Sequence, residues 1–141
     1  MDINWSYKNK SRVFDTKENG GVPYLSFKAL DDTGLAVNGF STRMGGASRG
    51  KFSTMNFSYS RGDAAEDVLE NFTRMAAALG VERDRMVVSH QTHTVNLRRV
   101  TLEDAGKGVV RERDYRDIDG LITDVPGLTL VTFYADCVPL Y

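Results

Sequence analysis

One stretch of the 141-residue chain carries a clear helical period. Ala65, Val68, Leu69, Phe72, Met75, Ala76 and Leu79 recur at the spacing of a single helix face, which predicts a helix from about Ala64 to Leu79. Asp63 stands where an N-cap belongs, Glu66 three residues on completes a capping-box pattern, and Gly80 is a natural stop. A Met and Phe stripe at this spacing reads as core packing rather than as a cofactor surface.

Elsewhere the apolar positions come in short runs rich in β-branched and aromatic residues, bounded by Gly, Pro or Asp. "VPYLSF" (Val22 to Phe27) and "GLAVNGF" (Gly34 to Phe40) predict strands joined by the turn former "DDTG". After the helix, "RMVVSH" (Arg85 to His90), "VNLRRV" (Val95 to Val100), "IDGLITD" (Ile118 to Asp124) and "LTLVTFYAD" (Leu128 to Asp136) predict four more. The last is almost continuously apolar, the pattern of a central strand buried on both faces. Asp136 and Cys137 are then expected at its C-terminal end, where α/β proteins often place chemistry. With no repeat and no low-complexity linker, one α/β domain over residues 1–141 is the economical reading. Between the second strand and the helix lies a polar loop, Ser41 to Asp63, rich in Gly and Ser; loops of this length are functional or disordered.

Charge narrows the partners. A net charge of −1 gives no electrostatic footprint for nucleic acid or an anionic membrane. The basic residues Arg98, Arg99, Arg111, Arg113 and Arg116 alternate with Glu103, Asp104, Glu112, Asp114 and Asp117, the composition of a solvated mixed-charge face. A single cysteine excludes an internal disulfide framework and fits a reducing, cytoplasmic setting. The opening "MDINWSYKNK" lacks an apolar signal region, and no run approaches the length of a membrane-spanning helix.

The residue types with chemistry to offer are few. Both histidines, His90 and His93, lie in "SHQTHT", and the one thiol is Cys137. Imidazole and thiolate together are the donors that zinc or copper prefers, so His93 and Cys137, each at a strand end, fit two of the three protein ligands of a catalytic metal site. On spacing alone, a cysteine placed like Cys137 is most often a small buried hydrophobe and a histidine placed like His93 most often a hydrogen-bonded loop residue.

The motifs "STRMGG", "STMNFS", "VVSHQTH", "DIDGLITDVPG" and "YADCVPLY" occur in this order. Together, over roughly Phe40 to Tyr141, they resemble the N-terminal half of the laccase-domain family, also described as multicopper polyphenol oxidase, purine nucleoside phosphorylase or peptidoglycan editing factor. The resemblance implies a single α/β domain with a mixed sheet layered against helices. It implies one metal, zinc with copper as the alternative, held by His93 of the Q-x-H motif, Cys137 of A-D-C, and a second His in an H-A-G-W-R-G motif that this sequence lacks. The chain is therefore expected to be an N-terminal fragment with an uncovered apolar face that invites self-association, the alternative being a half-length protein with His90 as third ligand. "GGAS" stands where the family commonly has "GGVS", and Thr94 where Gly or Ser is frequent.

The resemblance also implies chemistry on small molecules: phosphorolysis of adenosine, inosine or methylthioadenosine, and adenosine deamination by a zinc-bound water attacking C6. In that setting Arg43, beside Ser41, Thr42 and the amides of Gly45 and Gly46, would clamp phosphate or else solvate its loop. Asn56 would bond base or ribose, or close an Asx turn. Gln91 would support the metal ligands or lie at the surface, and Asp136 would orient a ligand. Three other functions stay open: hydrolytic editing of a peptidoglycan precursor, phenol oxidation by copper, for which two histidines are few, and an inactive fragment.

Overall fold

The structure is a computed structural model describing residues 12–139. The polar N-terminal stretch and the last two residues of "YADCVPLY" lie outside it. The fold is mixed α/β, and the chain divides into two compact units, Met1–Leu79 and Gly80–Tyr141.

The first unit holds an antiparallel sheet in the order β1 (Phe14–Asn19), β2 (Val22–Phe27), β3 (Phe40–Ser41). Gly20 and Gly21, both at positive φ, form the two-residue turn that sets Asn19 opposite Val22. β1 carries no apolar alternation and is exposed from Thr16 to Asn19, so a sequence pattern does not announce it; its charges suit a sheet edge. The strand expected over Gly34 to Phe40 shrinks to its last residue. A single helical turn, α1 (Lys28–Asp31), follows β2, and the Asn38 side chain then meets the Phe27 backbone, accepting its N–H at 2.7 Å. A side chain occupies the place of a strand partner, and Leu35 and Val37 are left exposed.

Helix α2 (Ala65–Leu79) matches the periodic stripe, with Gly80 at φ +70 beyond its end. Val68, Phe72, Met75 and Ala76 are buried, and Met75 and Ala78 pack with Val22, Tyr24 and Met55. The expected capping box takes another form. The Val68 amide bonds the Ala64 carbonyl, which makes Ala64 the N-cap residue, while the Asp63 carboxylate receives Ala64 N–H, Ser48 Oγ and Asn56 Nδ2. Asp63 thus ties the preceding loop to the helix start.

The second unit has two parallel ladders. β4 (Met86–Val88) pairs with β7 (Thr129–Val131), and β5 (Leu97–Arg99) pairs with β6 (Gly120–Ile122). Val87, Val100, Tyr115 and Leu128 form its buried core, flanked by Ile118, Leu121 and Val125. All four expected strands are present, each shorter than its apolar run. The largest departure is the last: β7 stops at Val131, and Leu130 and Phe133 are exposed rather than buried on both faces. Asp136 and Cys137 therefore stand on exposed chain well past the strand.

Candidate functional site

In the first unit the polar loop is built around Asn71, a helix residue with 0% exposure. Its Oδ1 accepts the Ala47 amide at 2.7 Å, and its Nδ2 donates to Ser48 Oγ at 2.8 Å and to the Asn56 carbonyl at 2.7 Å. Arg74, one turn along, donates to the carbonyls of Gly45 and Gly46. Gly46 packs so closely that a Cβ would sit 2.0 Å from the Thr54 carbonyl oxygen. These bonds order the loop.

The sequence-predicted residues of this loop are largely engaged within it. Asn56 closes an Asx turn, accepting the Ser58 amide, and donates to Asp63. Arg43 is exposed, and its Nη2 donates to the carbonyls of Ser53 at 3.0 Å and Lys51 at 3.4 Å. The Gly46 amide, expected to approach phosphate, donates to Thr54 Oγ1.

In the second unit the two histidines differ. His90 is bridged through its backbone to Ile118, and its Nδ1 accepts the Asp117 amide at 3.2 Å. His93 is exposed and sits at φ +64, a left-handed conformation unusual for a side-chain-bearing residue. Gln91 acts as a surrogate strand residue: its Oε1 accepts the Phe133 amide at 2.7 Å and its Nε2 donates to the Phe133 carbonyl at 3.0 Å. The side chain thereby continues the pairing of Ser89 with Val131 toward the segment that carries Cys137.

Asp119 is the residue that pattern reading passed over. Its carboxylate collects the amides of Thr92, His93 and Thr94 and the Thr94 hydroxyl. Burial alone would raise its pKa, but these four donors hold it down at about 2. An acidic residue just before the glycine of "IDG", at the start of β6, was the available signal.

The alternating charges of residues 98–117 are not simply a solvated face. Asp104 and Lys107 are buried, with Lys107 Nζ 2.7 Å from Asp104 Oδ1 and Arg98 Nη2 3.1 Å from the same oxygen. The Arg98 guanidinium lies over the Tyr115 ring, whose hydroxyl donates to the Val88 carbonyl at 2.6 Å. Burial would raise the Asp104 pKa, but Lys107, the Thr101 amide and Arg98 outweigh it and bring it to about 2. Mixed charge along a sequence is compatible with an internal ion-paired cluster, although among the described residues Arg98 Nε is buried there without a hydrogen-bond partner.

A family model described as "Multi-copper polyphenol oxidoreductase laccase" matches residues 37–141. The chain belongs to this laccase family. The purine nucleoside phosphorylase YlmD of Geobacillus stearothermophilus is 37% identical over 110 residues, which cover 75% of this chain and 39% of that protein. A purine nucleoside phosphorylase of Bacteroides thetaiotaomicron is 30% identical over 119 residues, covering 82% of this chain and 43% of that protein. Among solved structures, YlmD of Geobacillus stearothermophilus matches with a TM-score of 0.74 at 34% identity, covering 89% of this chain and 45% of that one. YfiH of Bacillus licheniformis matches with a TM-score of 0.74 at 27% identity, covering 86% and 45%. This laccase-family chain thus spans about two-fifths of the length of the relatives it matches.

All the sequence-predicted site residues fall within the matched range. His93 and Cys137 carry donor atoms of the kind zinc takes. Among the described residues, however, no group of three or more His, Cys, Asp or Glu side chains converges to hold a metal ion. The described residues thus do not by themselves complete a catalytic metal site. No helix among the described residues is long and apolar enough to cross a membrane.

Proposed function

We propose that this laccase-family chain serves purine nucleoside phosphorolysis, with adenosine, inosine and methylthioadenosine as substrates. The observation that carries this reading is the match to proteins named purine nucleoside phosphorylase, one of them 37% identical across three quarters of the chain. In the reaction a phosphate oxygen bonds to the anomeric carbon as the glycosidic C–N bond breaks, and the departing purine keeps the electron pair and takes up a proton. Arg43 is the group assigned to phosphate. Its Nη2 is held by two loop carbonyls, which reduces the side-chain freedom lost on binding, and a guanidinium has further donors for phosphate oxygens. His93 and Cys137 are the other assigned working groups, with Gln91 supporting their segments through its bonds to Phe133, and Asn56 is assigned to the base or ribose. Adenosine deamination at the same site and a cytoplasmic location complete the reading.

Supplying inosine with phosphate and measuring ribose 1-phosphate and hypoxanthine tests it directly. Stoichiometric release of both supports phosphorolysis. Free ribose in place of ribose 1-phosphate, or no turnover at all, would count against it. His93→Ala and Cys137→Ala should each abolish turnover, and Arg43→Lys should raise the KM for phosphate about tenfold, the scale of one lost charge-assisted bidentate contact. Ammonia release from adenosine checks the deaminase activity separately.

A further inference from the structure

The loop that presents His93 is held in an unusual way. Asp119 Oδ1 accepts the His93 amide at 2.8 Å, while Oδ2 accepts the amides of Thr92 at 3.1 Å and Thr94 at 3.0 Å and the Thr94 hydroxyl at 2.8 Å. Three consecutive amides turned onto one carboxylate fix the peptide planes on both sides of residue 93. Its φ of +64 is one that glycine adopts far more readily, yet the position carries an exposed imidazole. The surrounding bonds serve the same end. Thr92 Oγ1 donates to Asp117 Oδ1, Asn96 Nδ2 donates to the Asp117 carbonyl, and the Gln91 side chain accepts the Phe133 amide.

We propose that Asp119 is a positioning residue that fixes the His93 imidazole by clamping the backbone around it. The clamp uses main-chain amides alone at residue 93, so the ring is not consumed in holding its own loop. This inference rests on the reading of His93 as a working group in nucleoside chemistry, and it adds the residue that would place it.

The test uses the full chain with isotope-labelled histidine; two rings are visible, and His90→Gln assigns them. Asp119→Asn keeps the size of the side chain but offers one acceptor oxygen and an NH2 group that opposes the amide donors. The expected result is a His93 ring signal displaced toward that of an unstructured histidine, faster hydrogen exchange at Thr92, His93 and Thr94, and an unchanged fold elsewhere. Inosine phosphorolysis should lose about tenfold or more in kcat with KM nearly constant, the scale that a small misplacement of a working group costs. Wild-type ring signals in Asp119→Asn would overturn the proposal, as would displaced signals with unchanged kcat. If Asp119→Asn does not fold, Asp119→Glu keeps the charge but shifts the carboxylate by one methylene relative to the three amides, and an unmoved His93 signal there overturns the proposal equally. Retained turnover in His93→Ala would instead sink the functional reading of His93, and the ring signals would still decide the clamp.

Discussion

The loop of residues 41–63 and the loop of residues 89–94 are both irregular, and they differ in how far their own polar side chains are taken up in hydrogen bonds. In the first, side chains bond to the loop itself: Asn71, Asn56, Ser48 and Asp63 form one closed network, and Arg43 reaches back to two carbonyls. In the second, a carboxylate and a side-chain amide bond to the main chain, and the imidazole of His93 stays exposed. A loop held through its side chains commits its polar groups to structure. A loop held through its amides can still present a side chain. That contrast places the more chemically available residues in the second unit and leaves Arg43, exposed at the rim of its network, as the main candidate of the first.

The largest expected effect breaks the first loop. Asn71→Ala removes a buried amide and leaves the Ala47 N–H, Ser48 and the Asn56 carbonyl short of partners. It should cost about 3 kcal/mol by denaturant unfolding, since each unpaired buried group costs roughly 1–3 kcal/mol. Hydrogen exchange should rise in residues 44–58 and stay unchanged at Thr92 to Thr94. A loss below about 1 kcal/mol, the net value of one ordinary hydrogen bond, would show that the network is not what orders the loop.

Acid comes next and probes the second unit. The Asp104 pKa is depressed to about 2, so its contribution is fully present above the ordinary carboxylate range and is lost as pH falls through the folded value. Between about pH 4 and pH 2 the chain should lose roughly 2 kcal/mol through this group, because each tenfold change in proton affinity is worth about 1.4 kcal/mol. Asp104→Asn should flatten that part of the stability profile relative to the parent. Parallel profiles would show that the Asp104, Lys107 and Arg98 cluster does not carry the acid sensitivity.

The smallest effect concerns Gln91. Gln91→Ala should cost about 1 kcal/mol, the net value of a pair of exposed hydrogen bonds, and raise hydrogen exchange at Phe133. Because this amide ties Phe133 to the histidine loop, the Cys137 segment should also become more mobile by NMR relaxation. Unchanged exchange at Phe133 would leave the pairing without a role in solution.

Much of the architecture was legible from pattern. The α2 stripe from Val68 to Ala76 and the four strands of the second unit follow from hydrophobic period and β-branched content, because burial of one face leaves that signature. β1 was not, because an exposed edge strand such as Thr16 to Asn19 buries little and is held by main-chain pairing. The Gly34 to Phe40 run misled for the reverse reason: it has strand composition, but Asn38 takes the backbone position that a strand would need. Of the candidate site, the residues whose side chains carry distinctive chemistry could be named in advance. His93, Cys137, Arg43 and Asn56 were named from chemistry and resemblance, whereas Asp119 was missed because its partners are amides, which every residue carries.

The sequence by itself determined where apolar surface must be hidden and which residues could do chemistry, since both depend on residue type and local spacing. The family could be read there too, from motifs that survive without coordinates. Only the tertiary structure decided that Asp104 and Lys107 go inside together, that Asn71 rather than another helix residue closes the polar loop, and that Asp119 holds the peptide groups around His93. Each of these is a hydrogen bond or ion pair between side chains or backbone groups brought together by the fold, from Asp104 with Lys107 three residues apart to Asn71 with Ala47 24 apart and Asp119 with His93 26 apart. Such pairings are chosen by the geometry of the folded backbone, and a linear pattern of polar and apolar positions carries no record of them.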